Sequence, residues 1–191
     1  MVSSAKMSHL LVCAGSVGEW QRTSDDDWRL RLDIVGHAAQ VGGAEWATIV
    51  PVSAHPGDDP EIVRTRLEQS CGGVRYAQRV VVLGADGVTV VVDPSADGQR
   101  RIVDAAARVA ASSSVTEDRL SAAITAPAPS EPDLVVVLSD ATTMPSSLVW
   151  ELAYAEIVFL NVPWSELNAE HLEMAIDDFT RRDRRFGGVD S

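Results

Sequence analysis

The sequence predicts an α/β protein with a mostly parallel central sheet flanked by helices. Three observations carry that prediction. Apolar, β-branched runs such as His9–Ala14 and Leu134–Leu138 are short and nearly continuous, the pattern of strands buried on both faces. Between the runs lie stretches whose apolar residues recur at helical spacing. Glycines, prolines and capping residues mark the joints.

His9–Ala14 is a first strand, and Gly15, Ser16 and Gly18 after it predict a loop. Residues 29–40 carry Leu30, Ile34, Val35 and Ala38 near helical spacing, with Gly42 and Gly43 beyond as a stop. Residues 46–52 form a second strand, and residues 54–60, with two prolines and a glycine, a loop. Residues 61–69 place Ile62, Arg66 and Leu67 for a short helix. Arg79–Leu83 and residues 88–92 are strand-like, joined by a hairpin turn of Gly84, Ala85, Asp86 and Gly87.

Residues 99–111 put Ile102, Val103, Ala106, Val109 and Ala110 on one helical face. Thr116 caps a further short helix through Ile124, and three prolines in residues 126–132 lead into the strand Leu134–Leu138. Ser146 stands as the cap of a helix over residues 147–155, apolar almost all round and therefore expected to be buried. Residues 157–162 are a last strand. Asn168 caps a final helix in which Leu172, Ala175, Ile176 and Phe179 repeat at i, i+3, i+4 and i+7.

A chain of 191 residues is expected to form a single domain over 1–191, with residues 1–8 flexible and residues 189–191 a tail. A net charge of −12 argues against nucleic-acid and anionic-membrane partners and sits poorly with unaided binding of diphosphates, although a local basic cluster can override the average. No apolar run approaches the ~20 residues of a membrane span, and no basic-then-apolar start precedes the first strand, so a cytoplasmic location is expected. Cys13 and Cys71 lack metal-type spacing, and Cys13 reads as a buried reduced thiol. His9 and His37 read as isolated structural histidines, His55 and His171 as exposed. Ser16 between glycines is a poor match to a nucleophile elbow. Asp25, Asp26 and Asp27 read as a solvated acidic run among loop-like neighbours.

Residues 133–188 bring the functional signal. This stretch holds Asp133, Leu134, Trp150, Ala153, Tyr154, Glu156, Phe159, Trp164 and the run Arg184, Arg185, Phe186, Gly187, Gly188. In that order and spacing they resemble the C-terminal third of the cis-prenyltransferases, the undecaprenyl diphosphate synthase family. Near the start, His9, Gly18 and Trp20 match the family's His-x-x-x-x-Met-Asp-Gly-Asn-Gly-Arg-Trp in register. The resemblance implies the cis-prenyltransferase-like fold.

The matching positions have lost their chemistry. The aspartate that assists ionisation of the Mg²⁺-diphosphate falls on Gly15, and a phosphate-binding arginine falls on Glu19. The arginines of the C-terminal phosphate loop fall on Val137 and Thr143, its serine on Pro145. Gly36, His37 and Ala38 resemble Gly-His-Arg without the base, and Ser53, Ala54, His55 and Pro56 stand where Ser-Thr-Glu-Asn is usual. Gly84 to Gly87 replace a helix that helps line the family's prenyl tunnel. Each lost charged hydrogen bond is worth roughly 1.5–3 kcal/mol, so three lost arginines cost roughly 4–9 kcal/mol, or three to six powers of ten in diphosphate affinity.

This pattern is similar to the non-catalytic, Nogo-B receptor-like subunit of heteromeric cis-prenyltransferases. The resemblance then implies a heterodimer with a catalytic cis-prenyltransferase subunit, whose site holds Mg²⁺ and receives the prenyl diphosphate. It implies that Arg185, Phe186, Gly187 and Gly188 reach that site in trans, and that Trp150, Leu152, Ala153, Tyr154 and Phe159 form the interface. Glu156 matches a Mg²⁺-associated carboxylate, against the plainer reading of a solvated helix-end glutamate. Arg181 to Arg185 also suit a solvated basic helix end. The acceptor is isopentenyl diphosphate or an aromatic or specialised metabolite. Two other readings stand beside this one: a divergent homodimeric prenyltransferase active alone, with Glu156 and His55 as its visible groups, and a non-enzymatic binding module.

Overall fold

A computed structural model describes residues 7–84, 86–111, 114–139, 144–153 and 155–181. Its elements follow as β1 (His9–Ala14), α1 (Val17–Arg22), α2 (Asp25–Val41), β2 (Trp46–Val50), α3 (Pro60–Ser70), β3 (Val74–Tyr76), β4 (Arg79–Leu83), β5 (Thr89–Val92), α4 (Gly98–Ala110), α5 (Glu117–Thr125), β6 (Leu134–Leu138), β7 (Glu156–Leu160) and α6 (Ala169–Arg181). Seven strands form one sheet in the order β3-β4-β5-β2-β1-β6-β7. The pairs from β5 through β7 are parallel, and β3, β4 and β5 pair antiparallel.

β1 lies inside the sheet between β2 and β6, and all six of its residues are buried, as expected of a strand covered on both faces. The larger core, under α2 and α6, gathers Leu10, Val12, Val35, Val90, Val136, Ile176 and Phe179. The opposite face is smaller: Leu11, Cys13, Val50, Val135 and Val137 pack under Leu148. Met7 is fully buried in the larger core, and the Ser8 amide donates to Asp133 Oδ2 at 2.6 Å, so the expected flexible start does not extend to these two residues.

Several expectations hold. The turn between β4 and β5 closes through Gly84 N to Val88 O at 2.8 Å, leaving no room for an inserted helix. Thr116 and Asn168 cap α5 and α6 through their side chains.

Others need correction. The sequence after Gly15 is not a loop but the short helix α1, and Asp25, Asp26 and Asp27 are the first turn of α2, capped by Ser24. Acidic residues there favour the positive end of the helix dipole. β3 is an edge strand of only three residues and has no legible run.

Residues 147–155 do not form a buried helix. Two 3₁₀ turns, Ser146–Leu148 and Glu151–Ala153, take their place, and Leu152 is half exposed. The side chains explain this. The Ser147 hydroxyl donates to Pro51 O at 2.7 Å, while Arg101 donates to both Ser147 O and Glu151 Oε1, at 2.7 and 2.6 Å. Those contacts pull the segment flat against the first turn of α4. A Cβ at Gly98 would sit 2.7 Å from Ser146 O and 2.9 Å from Ser147 O, so only glycine allows the approach. Ser146 caps no helix; its hydroxyl donates to Ala96 O.

His9 is the structural histidine the sequence indicated. Its Nδ1 lies 2.8 Å from Ser130 O and its Nε2 2.8 Å from Thr48 Oγ1. A carbonyl can only accept, so Nδ1 carries the proton and Nε2 accepts from the Thr48 hydroxyl. Burial is the main cause of its lowered pKa. The unfolded chain therefore binds more protons than the folded one below about pH 6.5, and His9 contributes stability above that value which is lost as pH falls. Urea titrations at pH 7.5 and 5.5 should show lower unfolding free energy at pH 5.5, with a smaller difference in His9→Asn.

Candidate functional site

The carboxyl ends of β1, β2, β6 and β7 surround a cleft of about 510 Å³. β1 is flanked by β2 on one side and β6 on the other, the switch in strand order at which open α/β sheets bind ligands. Gly15, Ser16 and Glu19 form one wall, Ser53 and His55 a second, and Ser139 and Asn161 a third. The first two walls are tied by backbone, with Val52 N to Gly15 O at 2.7 Å and Val17 N to Ser53 O at 3.0 Å.

Beneath Gly15 sit three indoles. The Trp20 and Trp28 rings meet edge to face at 5.4 Å, and Trp164 lies 6.1 and 5.8 Å from them. Trp20 donates to Ala14 O at 2.9 Å, Trp28 to Trp20 O at 3.2 Å, and Arg31, its guanidinium 5.0 Å from the Trp164 ring centroid, to Trp164 O at 3.1 Å. The Trp164 indole nitrogen is buried without a partner among the described residues.

Gly15 has φ +63°, and a Cβ there would lie 3.1 Å from Trp164 Cβ and from Trp20 Nε1. An aspartate at this position meets both a left-handed backbone and a wall of indole. A carboxylate side chain at position 15 is thus disfavoured by both the backbone and the packing.

The start of α1 is where amide hydrogens would cradle an anion. Here the chain's own acids hold them. Glu19 Oε2 accepts from Ser16 N at 2.7 Å and Ser16 Oγ at 3.1 Å, and Ser16 Oγ accepts from Glu19 N, a complete capping box. Asp58 Oδ2 accepts from Gly18 N at 3.1 Å and His55 N at 2.8 Å. Two carboxylates therefore take up the amide hydrogens at this helix start, and their charge repels further anions. Asp58 was not legible as a site residue. Its only signal is the turn-forming run His55, Pro56, Gly57 around it.

The nucleophile candidates recede. Ser16 is held by Glu19, and burial pushes the Cys13 thiol up to about 12. His55 is exposed as expected, whereas His171 is half-buried and paired with Asn168 at 3.4 Å. His37 lies 3.0 Å from Asp86 and is half exposed.

The residues present do not fit the Mg²⁺ that the family resemblance implies. Among the described residues no three His, Cys, Asp or Glu side chains are arranged to hold a metal. Glu156 is not at a helix end; it opens β7 opposite Leu134. That places it roughly 16 Å along the strand from Asn161 and the cleft. Its Oε2 is buried without a partner among the described residues. Trp150 is half-buried, donating from its indole to Glu131 Oε1 at 3.0 Å. Leu152, Ala153 and Phe159 are exposed near or on the edge strand β7. Tyr154, Thr143 and the run Arg185, Phe186, Gly187 and Gly188 lie outside the described residues.

The family model for putative undecaprenyl diphosphate synthases matches residues 74–187. The chain belongs to this family. A ditrans,polycis-undecaprenyl-diphosphate synthase specific for (2E,6E)-farnesyl diphosphate, from Lactiplantibacillus plantarum, is 28% identical over 191 aligned residues, covering 87% of this chain and 69% of that protein. Isoprenyl transferase 2 of Bradyrhizobium diazoefficiens is 37% identical over 75 residues, covering 39% of this chain and only 30% of that protein. Among solved structures, lavandulyl diphosphate synthase from Lavandula x intermedia, in complex with dimethylallyl diphosphate, superposes with a TM-score of 0.65 at 14% identity, covering 95% of this chain and 98% of that one. That likeness establishes the cis-prenyltransferase fold.

An aspartate at position 15 should cost stability and bring no chemistry. Gly15→Asp is expected to lower unfolding free energy by about 1–3 kcal/mol in denaturant titration. It should gain no Mg²⁺-dependent turnover of allylic diphosphate.

Proposed function

We propose that this chain is the non-catalytic subunit of a heteromeric cis-prenyltransferase. The observation that carries the reading is the filling of the α1 amide cradle by Glu19 and Asp58, beside a Gly15 that excludes the family's aspartate. A site so occupied retains the family's scaffold without its means of ionising a diphosphate. The catalytic partner supplies the aspartate, the Mg²⁺ site and the arginine loop. This chain supplies Arg185, with Phe186, Gly187 and Gly188, to the partner's diphosphate, a task that suits the planar, bidentate guanidinium.

The docking surface in this reading is β7 and the turns before it. β7 is an edge strand, and Phe159 and Leu152 are 42% and 49% exposed. Edge strands with uncovered apolar side chains pair with other chains unless protected. The prenyl acceptor is isopentenyl diphosphate or a specialised metabolite, chosen by the partner's pocket. One observation favours a second reading, a divergent homodimer active alone: the cleft stays open, with Ser53, His55 and Asn161 on its walls.

Two results test the first reading. In the co-purified complex, Arg185→Ala should reduce kcat/KM for the prenyl diphosphate by roughly 10- to 100-fold; an unchanged value contradicts the trans role. In sedimentation velocity the isolated chain should self-associate as concentration rises, and a clean monomer throughout would remove the assigned interface.

A further inference from the structure

Five of the chain's arginines, Arg64, Arg79, Arg100, Arg101 and Arg108, line a second cavity of about 340 Å³. It opens where β5 ends and β4 begins, on the far side of β2 from the cleft. Asp93 and Asp104 also line it, and Glu61 and Glu151, outside its lining, pair with Arg64 at 3.0 Å and Arg101 at 2.6 Å, so five positive charges meet four negative ones, an excess of one. In a chain of net charge −12 this is a concentration of the opposite sign.

The cavity has a fixed floor and a cationic rim. Arg79 donates to Asp93 Oδ2 at 2.9 Å, to Ile124 O at 2.6 Å and to Ala126 O, so it is engaged through all three nitrogens. Asp93 Oδ1 accepts from Ser95 N. Arg101 is different. Its side chain is 7% exposed, its Nη2 serves Ser147 O and Glu151, and its Nε is buried with no partner among the described residues. Its Nη1 stands 3.9 Å from Asp93 Oδ2, beyond hydrogen-bond range. Arg100 and Arg108 sit two turns apart along α4, touching Asp104 Oδ1 at 3.0 Å and Ala123 O at 2.8 Å. Each guanidinium carries five N–H donors, so both keep donors beyond those contacts. Across the opening, Ala77 is held at φ +52°, and the next carbonyl, of Gln78, accepts from Arg64 Nε at 2.7 Å. A strained non-glycine turn pinned by an arginine is the kind of feature found at ligand sites.

We propose that this cavity binds a multiply charged phosphate-class oxyanion of diphosphate size. Five guanidiniums converging on one cavity, an under-satisfied buried one among them and two adaptable ones at the rim, offer the N–H forks that suit phosphate oxygens. The site lies apart from the Gly15 cleft, and binding requires neither a partner nor Mg²⁺, so it stands or falls independently of the subunit reading.

The test is calorimetric titration of the isolated full-length chain with inorganic pyrophosphate, without divalent cations. Saturable binding is expected, weaker for orthophosphate, with affinity falling on the order of tenfold in each of Arg100→Ala and Arg108→Ala. Arg29→Ala removes an equal charge from α2 and should retain the native affinity. Arg100 is largely exposed, so its replacement leaves the fold intact and the comparison interpretable. Absence of saturable pyrophosphate binding overturns the proposal. So does unchanged affinity in both rim variants, or a loss in Arg29→Ala as large as that in Arg108→Ala.

Discussion

The left-handed turn at Gly15 governs the carboxyl edge of the sheet. It ends β1, drops the chain onto the Trp20 and Trp164 rings, and sets Ser16 as the cap of α1. From that geometry follow the capping box with Glu19 and the bridge from Gly15 and Val17 to the segment after β2. That segment then brings His55 N and Gly18 N onto one Asp58 carboxylate. A larger residue at 15 would disturb indole packing, helix start and cleft wall together, because the three share one backbone.

The opposite face of the sheet is organised by buried charge. Arg79, Asp93, Arg101 and Glu151 are all nearly inaccessible, and they tie α4, β4, β5 and the turns before β7 to one another. Breaking such a network strands a buried charge, which is costly, whereas the intact network fixes geometry. Burial raises the Glu151 pKa, with Arg101 acting against it. The cis-prenyltransferase fold is thus held on this side by a buried network of two arginines and two carboxylates.

Most of the sheet was legible because buried parallel strands write themselves as β-branched runs, and β1, β4 and β6 match residue for residue. The hairpin at Gly84 to Gly87 and the caps Thr116 and Asn168 were legible for local reasons, since turn and cap chemistry is carried by few neighbouring residues. The helix assigned to residues 147–155 fails because its fate is decided by Arg101 and Gly98, about fifty residues away. Composition cannot show that a carbonyl will be claimed from a distance. Asp25 to Asp27 mislead for the opposite reason: Ser24 and three acids are a good helix start, but the run looks merely solvated. At the site, the first strand running into Gly15 was legible from its apolar run. That Glu19 closes a cap, that Asp58 joins it, and that Glu156 begins a strand at the other end of the sheet required the fold.

The central claim is that this chain contributes structure and a cationic tail to chemistry performed elsewhere. The most direct measurement is prenyl transfer from labelled allylic diphosphate with Mg²⁺, run with this chain alone, with a catalytically intact cis-prenyltransferase of the same organism alone, and with the two co-expressed. The account predicts full activity only in the co-expressed sample. Turnover by this chain alone would contradict it, and would mean that the cleft bounded by Glu19, Ser53 and His55 performs the chemistry itself.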